Sequence, residues 1–283
     1  MGSEADEVVL SAELSVVEEN GAEAIMALLR PKEDMFGGVV MEVGEAMEPV
    51  AFAALLKAAM RRFRQQEKNG IWLKLALTFS SLVDAAVKEG FKYHHAEPDY
   101  LMLVCWLPSR PCTLPANASH RVGIGAFVMN NQREVLVVQE KLGPLRGLNV
   151  WKFPTGAVDE GEDIASAAVR EVKEETGINA EFVEVLAFRQ GHKYFFGKSD
   201  LFFICMLKPL SFDIKLQESE IEAAKWLPIM EFVNQPFVQK HEQDKLIADI
   251  CLKKMEGQYS GLSSIRVKSS TDRINTLFFN ERT

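Results

Sequence analysis

Residues 156 to 178, GAVDEGEDIASAAVREVKEETGI, hold seven carboxylates, and three of them, Glu171, Glu174 and Glu175, stand at i, i+3 and i+4. Asp163 is placed to cap a helix and Gly177 to stop it, and the residues between are strong helix formers. At about 100° per residue from Ile164, Ala165, Val169 and Val172 share an arc of about 80–140°. Glu174, Glu171 and Glu175 share an arc of about 280–20°, close to Ala167 and Ala168. The spacing thus predicts an apolar stripe for the core and a separate acidic stripe. Like charges at this spacing repel by a few tenths of a kcal/mol per pair on an exposed helix, and by more when buried. A divalent cation removes that cost. Mg²⁺ and Mn²⁺ accept carboxylate oxygens and keep positions open for phosphate and water. A solvated acidic face is the competing reading, but such faces interleave lysines. Only Arg170 and Lys173 occur here, and Lys173 projects away from the acidic arc.

The elements that must position this helix are alternating strands and helices. RVGIGAFVMN, EVLVVQE, WKFPTGAV, EFVEVLAFRQ, SDLFFICML and AAKWLP surround it as strand candidates, and EQDKLIADICLKKMEG (242–257) is a last amphipathic helix. Upstream, VVMEV (39–43), GIWLKLAL (70–77), FKYHHAE (91–97) and YLMLVCWL (100–107) read as strands. Residues 49–70 and 80–90 read as helices, the first burying Phe52, Leu55, Leu56, Ala59 and Phe63. PSRPCTLP (108–115) carries three prolines and reads as a linker. The expected division is an acidic tail over 1–35, a small α/β domain over 36–110, a linker over 111–118, a second domain over 119–257 and a C-terminal tail over 258–283.

With 47% hydrophobic residues, the 283-residue chain can build a substantial core. The net charge of -8 argues against binding nucleic acid or an anionic membrane, so an anionic substrate needs local cations. No apolar run reaches the roughly 18 residues of a membrane span. The N-terminal residues have no secretory or transit pattern. The expected location is the cytoplasm, with the nucleus as a further site. Cys105, Cys112, Cys205 and Cys251 form no CxxC pair and are expected as reduced thiols.

The carboxylate stretch resembles the Nudix box, G-x5-E-x7-R-E-U-x-E-E-x-G-U, where U is aliphatic. Gly156, Glu162, Arg170, Glu171, Val172, Glu174, Glu175, Gly177 and Ile178 match every fixed position. The resemblance implies a loop–helix–loop in an α/β/α sandwich and metal-dependent hydrolysis of a nucleoside diphosphate linked to another moiety. It implies Glu171 and Glu175 as the main Mg²⁺ or Mn²⁺ ligands, with Glu174 and the Gly156 carbonyl joining them. Arg170 would hold a glutamate by ion pairing, and Glu162 would brace the loop. The spacing of Glu220 to Trp226 resembles that of family members with a catalytic base on a later loop, so Glu220 is the expected base. A solvated acidic loop is the alternative there.

Over about residues 36–257 the chain is similar to the plant Nudix hydrolases active on ADP-ribose and NADH. Its upstream unit resembles a reduced acetyltransferase-like fold. RVGIGA (121–126) lacks the spacing of an acetyl-CoA phosphate loop. Among substrate contacts, Arg189, His192 and Lys193 follow the strand after the box. Trp151, Phe153, Phe188 and Phe195 are candidates for ring stacking, with core packing as the alternative for each. Arg189, Phe188, Phe153 and His192 form the expected substrate set. Gln235-Pro236-Phe237 is read as a coincidental echo of a substrate-selecting array, and His94-His95 as strand surface. The resemblance implies a homodimer. A nucleotide sensor or scaffold that has lost turnover, and a hydrolase of another nucleotide such as coenzyme A, are the competing functions.

Overall fold

The computed structural model describes residues 27–114, 116–270 and 272–280. Residues 1–26 of the expected acidic tail lie outside the described residues. The chain divides into two compact units, Met1–Asn117 and Ala118–Thr283.

In the first unit, alternating apolar residues build one buried sheet face. The strands β1 (Lys32–Glu33), β2 (Val39–Glu42), β3 (Gly70–Ala76), β4 (Lys92–Ala96) and β5 (Tyr100–Trp106) lie in the order β1-β2-β3-β5-β4. Met41, Ile71, Leu73 and Leu103 pack on Phe52, Leu55, Leu56, Ala59 and Phe63 of helix α1 (Pro49–Gln65). That is the helical face expected from the spacing, and Pro49 opens the helix, where its missing N–H costs nothing. Helix α2 (Val83–Lys88) is shorter than expected. A 3-10 segment over Leu77–Leu82 precedes it, kinked at Phe79, and no side chain caps it.

The second unit is an α/β/α sandwich. Its main sheet, β8-β6-β10-β9, comprises β6 (His120–Val128), β8 (Thr155–Ala157), β9 (Ala180–Gly191) and β10 (Ser199–Pro209). A second ladder pairs β7 (Glu134–Glu140) with β11 (Ile221–Pro228). Alternation along β6 and β10 divides the core. Ile124, Ala126, Val128, Cys205 and Leu207 face helix α3 (Ile164–Thr176). Phe127 and Ile204 face the opposite layer, α4 (Ile229–Val233), α5 (Pro236–Lys240) and α6 (Glu242–Met255). Trp226 packs on the α3 side and donates its indole N–H to the Phe212 carbonyl at 3.1 Å. Cys105, Cys205 and Cys251 are buried, Cys112 is exposed, and all four are free thiols.

The stretch expected as a C-terminal tail is a hairpin of β12 (Ser263–Lys268) and β13 (Ile274–Phe279). Most of its side chains are exposed. Phe278 packs on the α3-side core, and polar ties add to it. Leu262 pairs with Val185, and Asp163 accepts from Arg266 at 2.5 Å and from Thr276 at 2.9 Å. Asp163 therefore does not cap α3 with its side chain, although its backbone is extended as a cap requires. Gly177 does stop the helix, with φ of 71° in the left-handed region.

Candidate active site

Helix α3 brings the carboxylates to the edge of β8, but not as one stripe. Ala167, Ala168, Val172, Glu175 and Thr176 form its buried face, while Ala165 and Val169 are only half-buried. The expected separation of apolar and acidic stripes is thus corrected: Glu175 lies within the apolar face. The two alanines explain this. Small side chains let the helix approach the sheet, and the closest glutamate is carried into the gap.

Glu175 is 5% exposed, and the Thr155 backbone N–H donates to it. Its Oε2 has no hydrogen-bond partner among the described residues. Burial pushes its carboxyl up to about 8, against the pull of the Lys152 ammonium; Glu171 and Glu140 push the same way as burial. Glu171 is also raised, chiefly by burial, while Arg170 pulls it down. Glu174 points outward, its side chain 52% exposed.

Arg170 organises the acidic loop and lines neither of the two chambers beside β8. Its Nε and Nη2 donate to Glu162, each at 2.9 Å. Its Nη1 donates to Glu171 at 2.8 Å and to Glu174 at 3.0 Å, and Nη2 reaches the Ala157 carbonyl at 2.9 Å. These bonds hold the guanidinium charged and keep Glu162 below the usual carboxylate range. Glu162 in turn accepts the Asp159 N–H at 3.1 Å, bracing the loop. Gly156 closes the arrangement. A Cβ there would lie 1.8 Å from the Glu171 carboxyl carbon, so only glycine permits this approach.

Two chambers adjoin the strand that carries Gly156. One, about 460 Å³, is lined by Gly156, Ala157, Arg121, Lys198, Asp200 and Tyr194. The other, about 220 Å³, is lined by Trp151, Phe153, Phe232, Phe237, Lys152, Gln243 and Asp244 among others. Thr155, Arg189 and Phe202 border both. Arg189 pairs with Asp200 at 3.1 Å and lies 4.8 Å from the Phe202 ring centre. Burial raises the Asp244 carboxyl, while His241 and Arg189 pull it down.

Of the expected substrate set, Arg189 and Phe153 line these chambers. Phe153 is largely core, stacked on Phe232 at 4.7 Å between ring centres. Phe188 is not brought there. The strand alternates, so Phe188 turns to the other face and stacks on Phe203. His192 is exposed and bonded to Ser199 at 2.9 Å. Glu220 sits exposed on a turn outside both chambers; its carbonyl, not its carboxylate, is engaged, by the Lys141 N–H at 2.8 Å. His94 and His95 approach each other at 2.7 Å and pack on Trp72 and Tyr100. Among the described residues no group of three or more His, Cys, Asp or Glu side chains is gathered to hold a metal, and Glu174 is bonded to Arg170 at 3.0 Å.

Three site residues were not foreseen. Lys152 binds Glu140 and the Thr155 hydroxyl, each at 2.5 Å, beside Glu175. Asp244 enters the smaller chamber from α6. Gln235, read as coincidence, holds the chamber wall: it accepts the Trp151 N–H at 2.8 Å and donates to its carbonyl at 3.0 Å, with Phe237 lining the chamber.

Residues 119–250 match the NUDIX domain model, and residues 29–107 match a Nudix hydrolase domain model. The chain is 54% identical over 273 residues to Nudix hydrolase 2 of Arabidopsis thaliana, covering 96% of this chain and 98% of that one. The chain belongs to the Nudix hydrolase family. It is thus a hydrolase of the pyrophosphatase type, acting on nucleoside diphosphate derivatives. The human nucleoside diphosphate-linked moiety X motif 6 is 39% identical over 209 residues, covering 71% of this chain and 65% of that one. A MutT Nudix hydrolase of Burkholderia pseudomallei superposes with a TM-score of 0.38 at 24% identity, covering 46% of this chain and 96% of that one. In the Nudix hydrolase described here, α3 and the loop before it are the Nudix box.

Proposed function

We propose that this Nudix hydrolase cleaves the diphosphate of ADP-ribose, NADH or both, giving AMP plus ribose 5-phosphate or reduced nicotinamide mononucleotide, with Mg²⁺ or Mn²⁺. The observation that carries this reading is the pair of chambers joined beside Gly156. One is aromatic and sized for part of a ligand, below the roughly 300–1,000 Å³ typical for a whole drug-sized one. The other has cationic side chains, Arg121 and Lys198, suited to phosphate and sugar hydroxyls. A substrate with a planar ring on one side of a diphosphate and a polar moiety on the other suits that division.

The donor set fits a hard divalent ion. Glu175 has a buried oxygen without a partner, and Glu171 reaches the backbone at Gly156. Glu171 and Glu175 would hold the ion with Glu174 and the Gly156 carbonyl, and the ion would neutralise the diphosphate and acidify a water. Arg170 aligns Glu171 through its charged hydrogen bonds. Lys152 favours the ionised form of Glu175, the form that can bind metal. Arg189 offers a cation where the chambers meet. A homodimer in the cytoplasm remains part of this proposal. Among the described residues no helix is long and apolar enough to cross a membrane.

Product mass spectrometry in ¹⁸O-labelled water tests the reading. ADP-ribose, NADH, NAD⁺, coenzyme A and 8-oxo-dGTP are offered with Mg²⁺ or Mn²⁺. AMP from ADP-ribose, NADH or both, with one label in a phosphate product, is the expected result. Cleavage of coenzyme A alone would reassign the substrate. No metal-dependent cleavage of any compound would favour a nucleotide sensor.

A further inference from the structure

The smaller chamber carries a polar pattern that its aromatic walls do not require. Phe202 and Phe237 present ring surface, while Asp244 enters from the first turn of α6 with Gln243 beside it. The Asp244 carboxylate stands 4.0 Å from the His241 ring nitrogen and keeps about a third of its side chain exposed. An ionised carboxylate only accepts hydrogen bonds. A planar ligand in this chamber therefore gains by turning an amino group toward Asp244, and loses if it turns a carbonyl oxygen there. Gln243 both donates and accepts, so it adapts to a ring nitrogen or N–H and discriminates little. Arg189, paired with Asp200 and lying over Phe202, borders both this chamber and the one beside Gly156. A ring whose diphosphate lies at Arg189 can turn its amino edge toward Asp244 on α6.

We infer that Asp244 is a specificity-determining residue that accepts the 6-amino group of an adenine base seated in the aromatic chamber, and so discriminates 6-amino from 6-oxo purine diphosphates. The assignment rests on the substrate reading given above. It also fits the cost of the wrong base: a half-buried acceptor that the ligand screens from water is left unpaired when it faces a second acceptor, and sites built around one donor can reject its absence strongly.

The test compares ADP-ribose with IDP-ribose, in which a 6-oxo group replaces the 6-amino group and N1 carries a proton, using the full chain with Mg²⁺. The wild type should prefer ADP-ribose in kcat/KM by about 100-fold or more. D244N offers an amide donor to the 6-oxo group. It should lower the preference at least about 10-fold and raise IDP-ribose turnover in absolute terms, a gain that a merely structural defect does not produce. Similar use of the two compounds by the wild type overturns the assignment and leaves the substrate reading standing. An unchanged preference in D244N does the same. Cleavage of neither compound overturns the ADP-ribose reading and the assignment with it. A D244N defect confined to NADH would put the nicotinamide carboxamide in this chamber and overturn the assignment of adenine. If D244N fails to fold, the wild-type preference still decides.

Discussion

Glu175 is where burial and chemistry conflict most directly. Its folded carboxyl holds a proton up to about pH 8, against an ordinary value of 4.5. Between those values the folded chain binds more protons than the unfolded one, so stability falls as pH rises through that window. The metal-free Glu175→Gln variant should therefore be more stable than wild type at pH 9, by something on the order of a few kcal/mol, and nearly equal at pH 4. Denaturant melts in chelator at the two pH values measure this, and a difference that grows toward low pH would sink the idea. Mg²⁺ should raise the wild-type melting temperature at pH 8 and do much less for the variant. The variant should also lose most turnover, because a neutral amide is a poor ligand for a hard cation. At Gly156, a single added methyl would collide with the Glu171 carboxyl. Gly156→Ala should lower kcat about 100-fold or more by displacing that carboxylate, while circular dichroism stays native.

At the scale of elements, the Nudix loop and α3 are clamped from two sides. Arg170 ties the loop to the helix, and Asp163 ties the helix start to the C-terminal hairpin. Arg170→Lys keeps the charge but has no planar fork to serve Glu162, Glu171 and Ala157 together. It should lower kcat far more than it raises KM; a defect in KM alone would mean that Arg170 binds substrate directly. Asp163→Ala should cost about 1 kcal/mol in a urea melt, since its ion pair is partly solvated and the Thr276 bond is neutral on one side. The hairpin itself was hidden in the sequence. Its strands are mostly exposed, the alternation in β12 is limited to Ile265 and Val267, and its anchor lies about a hundred residues upstream. The box was legible for the opposite reason: the metal chemistry needs set residue types at set spacing within one loop and helix. Lys152, Glu140 and Asp244 are ordinary residue types that meet the site only through the fold. The burial of Glu175 does not follow from the apolar stripe of Ala165, Val169 and Val172, because the smallness of Ala167 and Ala168 beside the acidic arc decides how near the helix comes.

At the scale of the whole molecule, the cores are self-contained. The buried cluster of the first unit runs from Leu29 to Cys105, and the two clusters flanking the second sheet begin at Ile124 and Phe127. Every residue lining the two chambers, and every glutamate of the box, falls within Ala118–Thr283. A unit with its own core on both sheet faces and its own hairpin should fold alone. Residues 118–283 expressed by themselves should melt in one cooperative transition and cleave ADP-ribose with Mg²⁺. Scanning calorimetry and AMP release measure the two properties. A cooperative fragment without metal-dependent cleavage would assign part of the catalytic apparatus to the first unit. A fragment without a cooperative melt would make the 118–283 core dependent on the preceding chain. Retained kcat with a raised KM would give the first unit a role in holding substrate. Because kcat and KM separate these roles, the fragment tests whether a box that reads as complete in sequence is also complete in chemistry.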